Sequence, residues 1–134
     1  MPVLLVIVLS LHLLSSVFWA GSTFALARLG GQGAQALFRP QMGAALVAIL
    51  AGGYLWGQLH AGPEGMPEHV LGIGAICAIL AAGVQGMLVG GTARKLRKGA
   101  MTPDEAQRRF AMAHRIAALL LAITLVCMGA QRYV

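Results

Sequence analysis

The sequence predicts an all-α integral membrane protein, a single-domain antiparallel four-helix bundle with both termini outside. Three observations carry the prediction: an unusually apolar composition, four apolar segments of spanning length, and basic residues confined to alternate loops. Of the 134 residues, 58% are hydrophobic and 10% charged, whereas an ordinary soluble domain carries about 25% charged residues. A unit of this length cannot hide so much apolar surface from water, and the bilayer is its natural solvent.

A spanning helix needs roughly 20 mostly apolar residues. Segments 3–28, 41–60, 69–93 and 110–131 meet that requirement. Without water in the hydrocarbon layer, their backbones must satisfy themselves as helices. The first segment has no charge before Arg28 and no basic stretch ahead of its apolar run. It therefore reads as a retained spanning helix and not as a cleaved signal peptide. The third is rich in small residues, including Gly72, Gly83, Gly86 and Gly90. In lipid, such residues let helices approach closely, and Gly86 and Gly90 form a candidate contact face. The fourth has a marked start: Thr102 as cap, Pro103 at the first helical position, then Asp104 and Glu105. Thr102 and Glu105 have capping-box spacing, and the acidic residues suit the positive end of the helix dipole. That helix begins before its apolar part, with Arg108, Arg109 and Arg115 placed to sit at the headgroups.

The loops set direction. Arg28 and Arg39 flank the first loop; Arg94, Lys95, Arg97, Lys98, Arg108 and Arg109 surround the third; the second holds Glu64 and Glu68 but no lysine or arginine. The positive-inside rule puts loops one and three in the cytoplasm and both termini outside, as in a bacterial-type inner membrane. The net charge of +6 is accounted for by these loops, which excludes a separate basic domain for nucleic acid. Also absent are a Ser-His-Asp set, a zinc-protease motif, a phosphate loop and any acidic pair within a span. Hydrolysis and nucleotide-driven chemistry have no residues to carry them.

His12 lies about 13 Å along the first helix, near mid-membrane. Ionisable residues there face the bundle interior or a partner. Two readings stand side by side: a neutral imidazole hydrogen-bonded to a serine or backbone carbonyl of another helix, or a ligand to haem iron or copper. Trp19 lies on the same helix face and either packs against a cofactor or fills space. His60 and His69 flank the second loop, with Glu64 and Glu68 nearby. Together they are expected to meet at the outer surface, as interface residues, as a divalent-metal site, or with one histidine reaching inward as a second haem ligand. His114 falls near the cytoplasmic end of the fourth helix, where an interfacial role is expected. Cys77, Cys127 and Met128 have depths comparable to that of His12. They are read either as apolar packing or, with His12, as soft Cu(I) donors. Gln85 is a deep polar side chain for bonding across helices, or for contacting a quinone or a porphyrin propionate.

The stretch LHLLSSVFWAGSTFALARL resembles the first helix of two related groups of small membrane proteins. These are the copper-resistance D (CopD) family and the HemJ type of protoporphyrinogen oxidase. Four spans, the basic run TARKLRKG before the last helix, and Arg132-Tyr133 near the C-terminus extend the resemblance. The HemJ likeness implies b-type haem with His12 as a ligand. HemJ-type proteins also carry a lysine at the start of the third helix and a histidine further along it. Here His69 and Gln85 stand at those places, which counts against protoporphyrinogen oxidation and leaves haem binding open. The CopD likeness implies copper uptake, with His12 and Met128 carried over.

The expected function is therefore haem b binding, through His12 with His60 or His69, for electron transfer or haem-linked redox chemistry. Copper homeostasis through His12, His60, His69 and Met128 is the alternative. A further alternative is a non-catalytic subunit of a larger membrane complex. Expected partners are the lipid bilayer and a membrane redox partner or quinone, with assembly as a homo-oligomer or within a larger complex.

Overall fold

The computed structural model describes residues 2–134. The helices are α1 (Val3–Arg28), α2 (Ala34–Leu59), α3 (Met66–Val84), α4 (Gly90–Arg97) and α5 (Pro103–Ala130). A π turn, Gln85–Val89, joins α3 to α4 without a break, and a 3₁₀ turn, Gln131–Tyr133, ends the chain. Four continuous helical stretches result, each long and apolar enough to cross a membrane. Adjacent stretches run antiparallel. One end of the bundle, the terminal end, gathers both chain ends and the connection through residues 60–65. The other, the basic end, gathers the connections through 29–33 and 98–102.

Three helical stretches extend past the spans expected from hydropathy, the third running Met66–Arg97 where 69–93 was expected. α2 starts at Ala34, because the polar stretch around Arg39 is helical although it is not apolar enough to read as a span. Pro40 lies inside α2 and removes one backbone donor there. α5 starts at Pro103, and the Thr102 hydroxyl accepts from the Glu105 backbone N–H at 3.2 Å, as the capping pattern predicts. The π turn has no counterpart in the sequence expectations.

α1 packs along α2 and α5, and α3 packs along α5, while α2 and α3 meet more sparingly. The core is built from small side chains. Ala45, Ala48, Ala78, Ala81 and Ala117 surround Trp19 and Leu121. Nearer the basic end, Ala34, Ala93, Ala106 and Ala113 surround Val89 and Phe110. Without a hydrophobic driving force between helices in lipid, close backbone approach and dispersion contacts hold such a bundle. Large apolar side chains such as Leu14, Val17, Leu50, Leu119 and Val126 point outward. The glycine pair of the third stretch works as a contact face. A methyl group on Gly90 would lie 3.0 Å from the Phe38 ring, and one on Gly86 3.8 Å from the Met42 sulfur. Phe38 and Met42, one turn apart on α2, thus lie against Gly90 and Gly86, one turn apart on the facing stretch.

At the basic end, the first connection is pressed against α5. Gln107 Nε2 donates to the Gly30 carbonyl at 2.6 Å. Gly31 has φ +84°, and a Cβ there would fall 2.7 Å from the Ala111 nitrogen and 2.8 Å from Phe110 Cβ. Both conditions demand glycine. Replacing Gly31 with alanine is expected to cost about 2–3 kcal/mol, combining left-handed backbone strain with overpacking. Unfolding in mixed micelles measures this, with Gly30→Ala as a control for positive φ (+68°) in open space.

Candidate functional site

Two connected features occupy the bundle interior: a cavity in its terminal half and a polar network in its basic half. Trp19 divides them.

The cavity has a volume of about 510 Å³, within the range of small-molecule and cofactor sites. All four helical stretches line it, and its walls are mostly aliphatic and aromatic. Its polar groups come from His12 and Ser16 on α1, His60 at the end of α2, Thr124 on α5, and Gln131. Thr124 is already engaged, donating within reach of the Gly74 and Leu120 carbonyls at 2.8 and 3.0 Å.

His12 is held on two sides. Its Nδ1 lies 2.8 Å from the Ala48 carbonyl oxygen on α2. A carbonyl can only accept, so Nδ1 carries the hydrogen and, in the neutral ring, Nε2 carries the lone pair. The ring also lies over Gly52, where a Cβ would come 3.0 Å from His12 Cε1. Alanine there would press the ring aside by a few tenths of an ångström, and a β-branched residue would drive the imidazole from this place. The sequence offered a backbone carbonyl of another helix as one reading of His12 and a metal ligand as the other. The observed bond satisfies the first while leaving the ring in the tautomer the second requires. Ser15 bonds back to its own helix, to the Leu11 and His12 carbonyls.

The other histidines separate. His60 lines the cavity mouth beside Trp56, with ring centroids 6.1 Å apart, and its Nδ1 is 3.6 Å from Glu68 Oε1. His69 stands outside the cavity, largely exposed, with Nε2 4.0 Å from Glu64. The four groups expected to gather at this surface thus form two separate pairs. His60 is also not placed opposite His12. It follows Gly52 by eight residues, about 12 Å along the helix axis. Of the sulfur residues, Met128 lines the cavity. Cys127 faces a shallow groove on α5 with Leu119, Ile123 and Val126, and Cys77 is not in the cavity wall. Among the described residues, no three His, Cys, Asp or Glu side chains come together as a metal site.

Below the cavity, Trp19 Nε1 donates to Gln85 Oε1 at 2.6 Å. Gln85 Nε2 donates to Thr23 Oγ1 at 2.9 Å, and Thr23 donates to the Trp19 carbonyl at 2.7 Å. Gln41 Nε2 donates to Ser22 and Thr23, and Gln41 Oε1 lies 3.4 Å from His114 Nε2. His114 Nδ1 faces the Phe110 carbonyl at 2.9 Å. Residues from α1, α2, α5 and the π turn therefore share one buried network. Gln85 bonds across helices, the structural one among its expected roles. It lies behind Trp19 and does not line the cavity.

His114, expected near the cytoplasmic end of its helix, is fully buried within the bundle. The neighbouring Arg115 suggested an interface, but the helical phase turns His114 inward with Phe110, Ala113 and Ala117, all buried. That stripe was present in the sequence. Gln41, Thr23, Gly52 and Trp56 carried no isolated signal. Each matters through a partner on another helix.

A comparison with family models, with curated proteins and with solved structures finds no match to this chain.

Proposed function

We propose that the chain is an integral membrane protein of a bacterial-type inner membrane, with both termini outside, that binds b-type haem in the terminal-half cavity. His12 would hold the haem iron, and the role is electron transfer or haem-linked redox chemistry. One observation carries this reading: His12 donates from Nδ1 to the Ala48 carbonyl, leaving Nε2 as a lone pair on a ring that lines a large, mostly apolar cavity. A backbone carbonyl on the second nitrogen is the usual means of fixing the orientation and basicity of a ligating histidine.

The donor set fits haem better than bare copper. Copper needs several protein donors gathered at one point, whereas a porphyrin brings four nitrogens of its own. Met128 is the cavity's soft donor on α5 and would be the second group to hold the iron. A thioether there would raise the potential relative to a second histidine. When bound, haem supplies one-electron chemistry. The protein's part is to hold it, exclude water and set its potential. Trp19 and Trp56 add aromatic surface to the cavity wall. The basic loops support the orientation through the positive-inside rule.

Purified from cells supplied with haem, the protein is expected to show a b-type band in the reduced-minus-oxidised spectrum. His12→Ala should lose the band while helix content is unchanged. Met128→Leu should retain the haem but lower its midpoint potential. A colourless wild-type protein that takes up no added haem would overturn the reading. Copper accumulation dependent on His12 in such a protein would replace it with the copper alternative.

A further inference from the structure

Of the neighbouring helix pairs that enclose the cavity, α2 and α3 are the most sparingly packed. We infer that the occupant enters from the bilayer, sideways between these two helices, through a gap at Gly53 and Ala75 that opens at the level of His12. This rests on the haem reading, and it adds the source of the haem: it is taken up dissolved in the membrane, and not from the water at the terminal end.

Three contacts fix how α2 lies along the facing stretch. Phe38 is against Gly90 and Met42 against Gly86, and a methyl group on Gly72 would lie 3.7 Å from the Trp56 ring. The fourteen residues from Met42 to Trp56 thus match the fourteen from Gly86 back to Gly72, as antiparallel helices of equal rise require. In each contact a large side chain of α2 covers a glycine. The same register sets Ile49 against Ile79 and Gly53 against Ala75. At the second of these, neither helix supplies a large side chain, and a Cβ on Gly53 would meet nothing within 4 Å. Gly53 is exposed, yet both it and Ala75 line the cavity. The gap lies between Ile49 and Trp56, about 10 Å apart along α2. Its neighbour Gly52 is the residue the His12 ring lies over.

The other sides are better filled. α1 packs along α2 and α5, and α3 packs along α5. Leu9 and Leu125 line the cavity and are partly exposed on the side between α1 and α5, but there two large side chains make the wall. Toward the basic end stands Trp19, tied to Gln85. At the terminal end His60 is held between Trp56, with ring centroids 6.1 Å apart, and Glu68, 3.6 Å from its Nδ1. Segments with few buried contacts open at the lowest cost, so α2 and α3 are the pair that part to admit a planar molecule. The rim of the gap suits an approach through lipid. Ile49, Gly53, Trp56, Gly72, Ala75 and Ile79 carry no charge that entry would desolvate.

The experiment follows the kinetics of haem transfer. Phosphatidylcholine vesicles carrying ferric haem are mixed with vesicles holding the full-length protein stripped of haem, and loading is read from the absorbance of the bound form. Gly53→Leu, which narrows the gap, should slow loading and release alike, each about tenfold, and leave Kd within about threefold. Ala75→Leu, from the other side of the gap, should act in the same way. Gly57→Leu, one turn along α2 and outside the cavity wall, should change neither rate. Leu125→Trp and Gln131→Trp narrow the two other approaches and should load at the wild-type rate. Wild-type loading by both Gly53→Leu and Ala75→Leu, or slowing by Leu125→Trp or Gln131→Trp in their place, would overturn the route and leave His12 ligation intact. Weakened binding with unslowed loading would make Gly53 and Ala75 part of the wall and not a passage, and would overturn it equally. A wild-type protein that takes up no haem would overturn the haem reading, and this inference with it.

Discussion

On the proposed haem reading, replacing Gly52 with valine is expected to lower haem affinity at least tenfold, although position 52 offers no ligand atom. The His12 ring occupies the space a Cβ would take, with Cε1 at 3.0 Å from it. Alanine would require a shift of a few tenths of an ångström, whereas valine adds two methyl groups into the imidazole. The ring must leave, and the bond from Nδ1 to the Ala48 carbonyl goes with it. Loss of a partner that orients a metal ligand typically costs 10–100-fold in affinity. Gly57→Val is the control. It places the same β-branched residue in the same helix, where a Cβ would meet nothing within 4 Å. Spectral titration of haem into both variants separates displacement of His12 from a general effect on α2. Equal affinities for the two variants would count against the assignment of His12.

Gln85→Leu is expected to destabilise the bundle by about 2–3 kcal/mol. The substitution fills similar space but leaves the Trp19 N–H without an acceptor and removes a donor from Thr23. A buried group stripped of its partner costs about 1–3 kcal/mol. Single interhelical hydrogen bonds in lipid contribute less, averaging about 0.6 kcal/mol, so most of the effect comes from the orphaned indole. A double-mutant cycle tests that division. Trp19→Phe removes the N–H, and in its presence Gln85→Leu should cost distinctly less than it does alone. Chemical unfolding in mixed micelles, followed by circular dichroism, gives both values. Strict additivity would mean that the bond from Trp19 to Gln85 contributes nothing.

The four helical stretches and the start of α5 were legible because each depends on local signals. Apolar runs of spanning length mark the helices, and Thr102, Pro103, Asp104 and Glu105 mark one beginning. α2 was legible only from residue 41, since hydropathy registers the apolar part of a helix and not the polar turns before it. His12 was legible as an anomaly, and of its two readings the structure shows the bond to a backbone carbonyl of another helix. Its carbonyl partner was not, because Ala48 is 36 residues away and presents only backbone. The same holds for Trp19 and Gln85, which are 66 residues apart. His114 shows the reverse case. Its inward stripe with Phe110, Ala113 and Ala117 was readable, and the adjacent arginine drew attention away from it. The expected cluster of His60, His69, Glu64 and Glu68 divided because His69 lies on α3 where it is largely exposed, while His60 is turned toward Glu68 and the cavity.

The π turn at Gln85–Val89 makes the count of residues itself part of the design. A π turn holds one residue more than the α geometry on either side of it, and here Gln85 and Val89 are both buried. Removing a single residue from the turn, such as the exposed Met87, would let the helix close as continuous α. The π turn takes up its extra residue locally, so the helix before it and the helix after it would keep their phase, with Gln85 still facing Trp19 and Gly90 still facing Phe38. A deletion within the α-helical part of the same stretch would instead rotate one side against the other by about 100°. For this segment, where a residue is lost matters more than that one is lost.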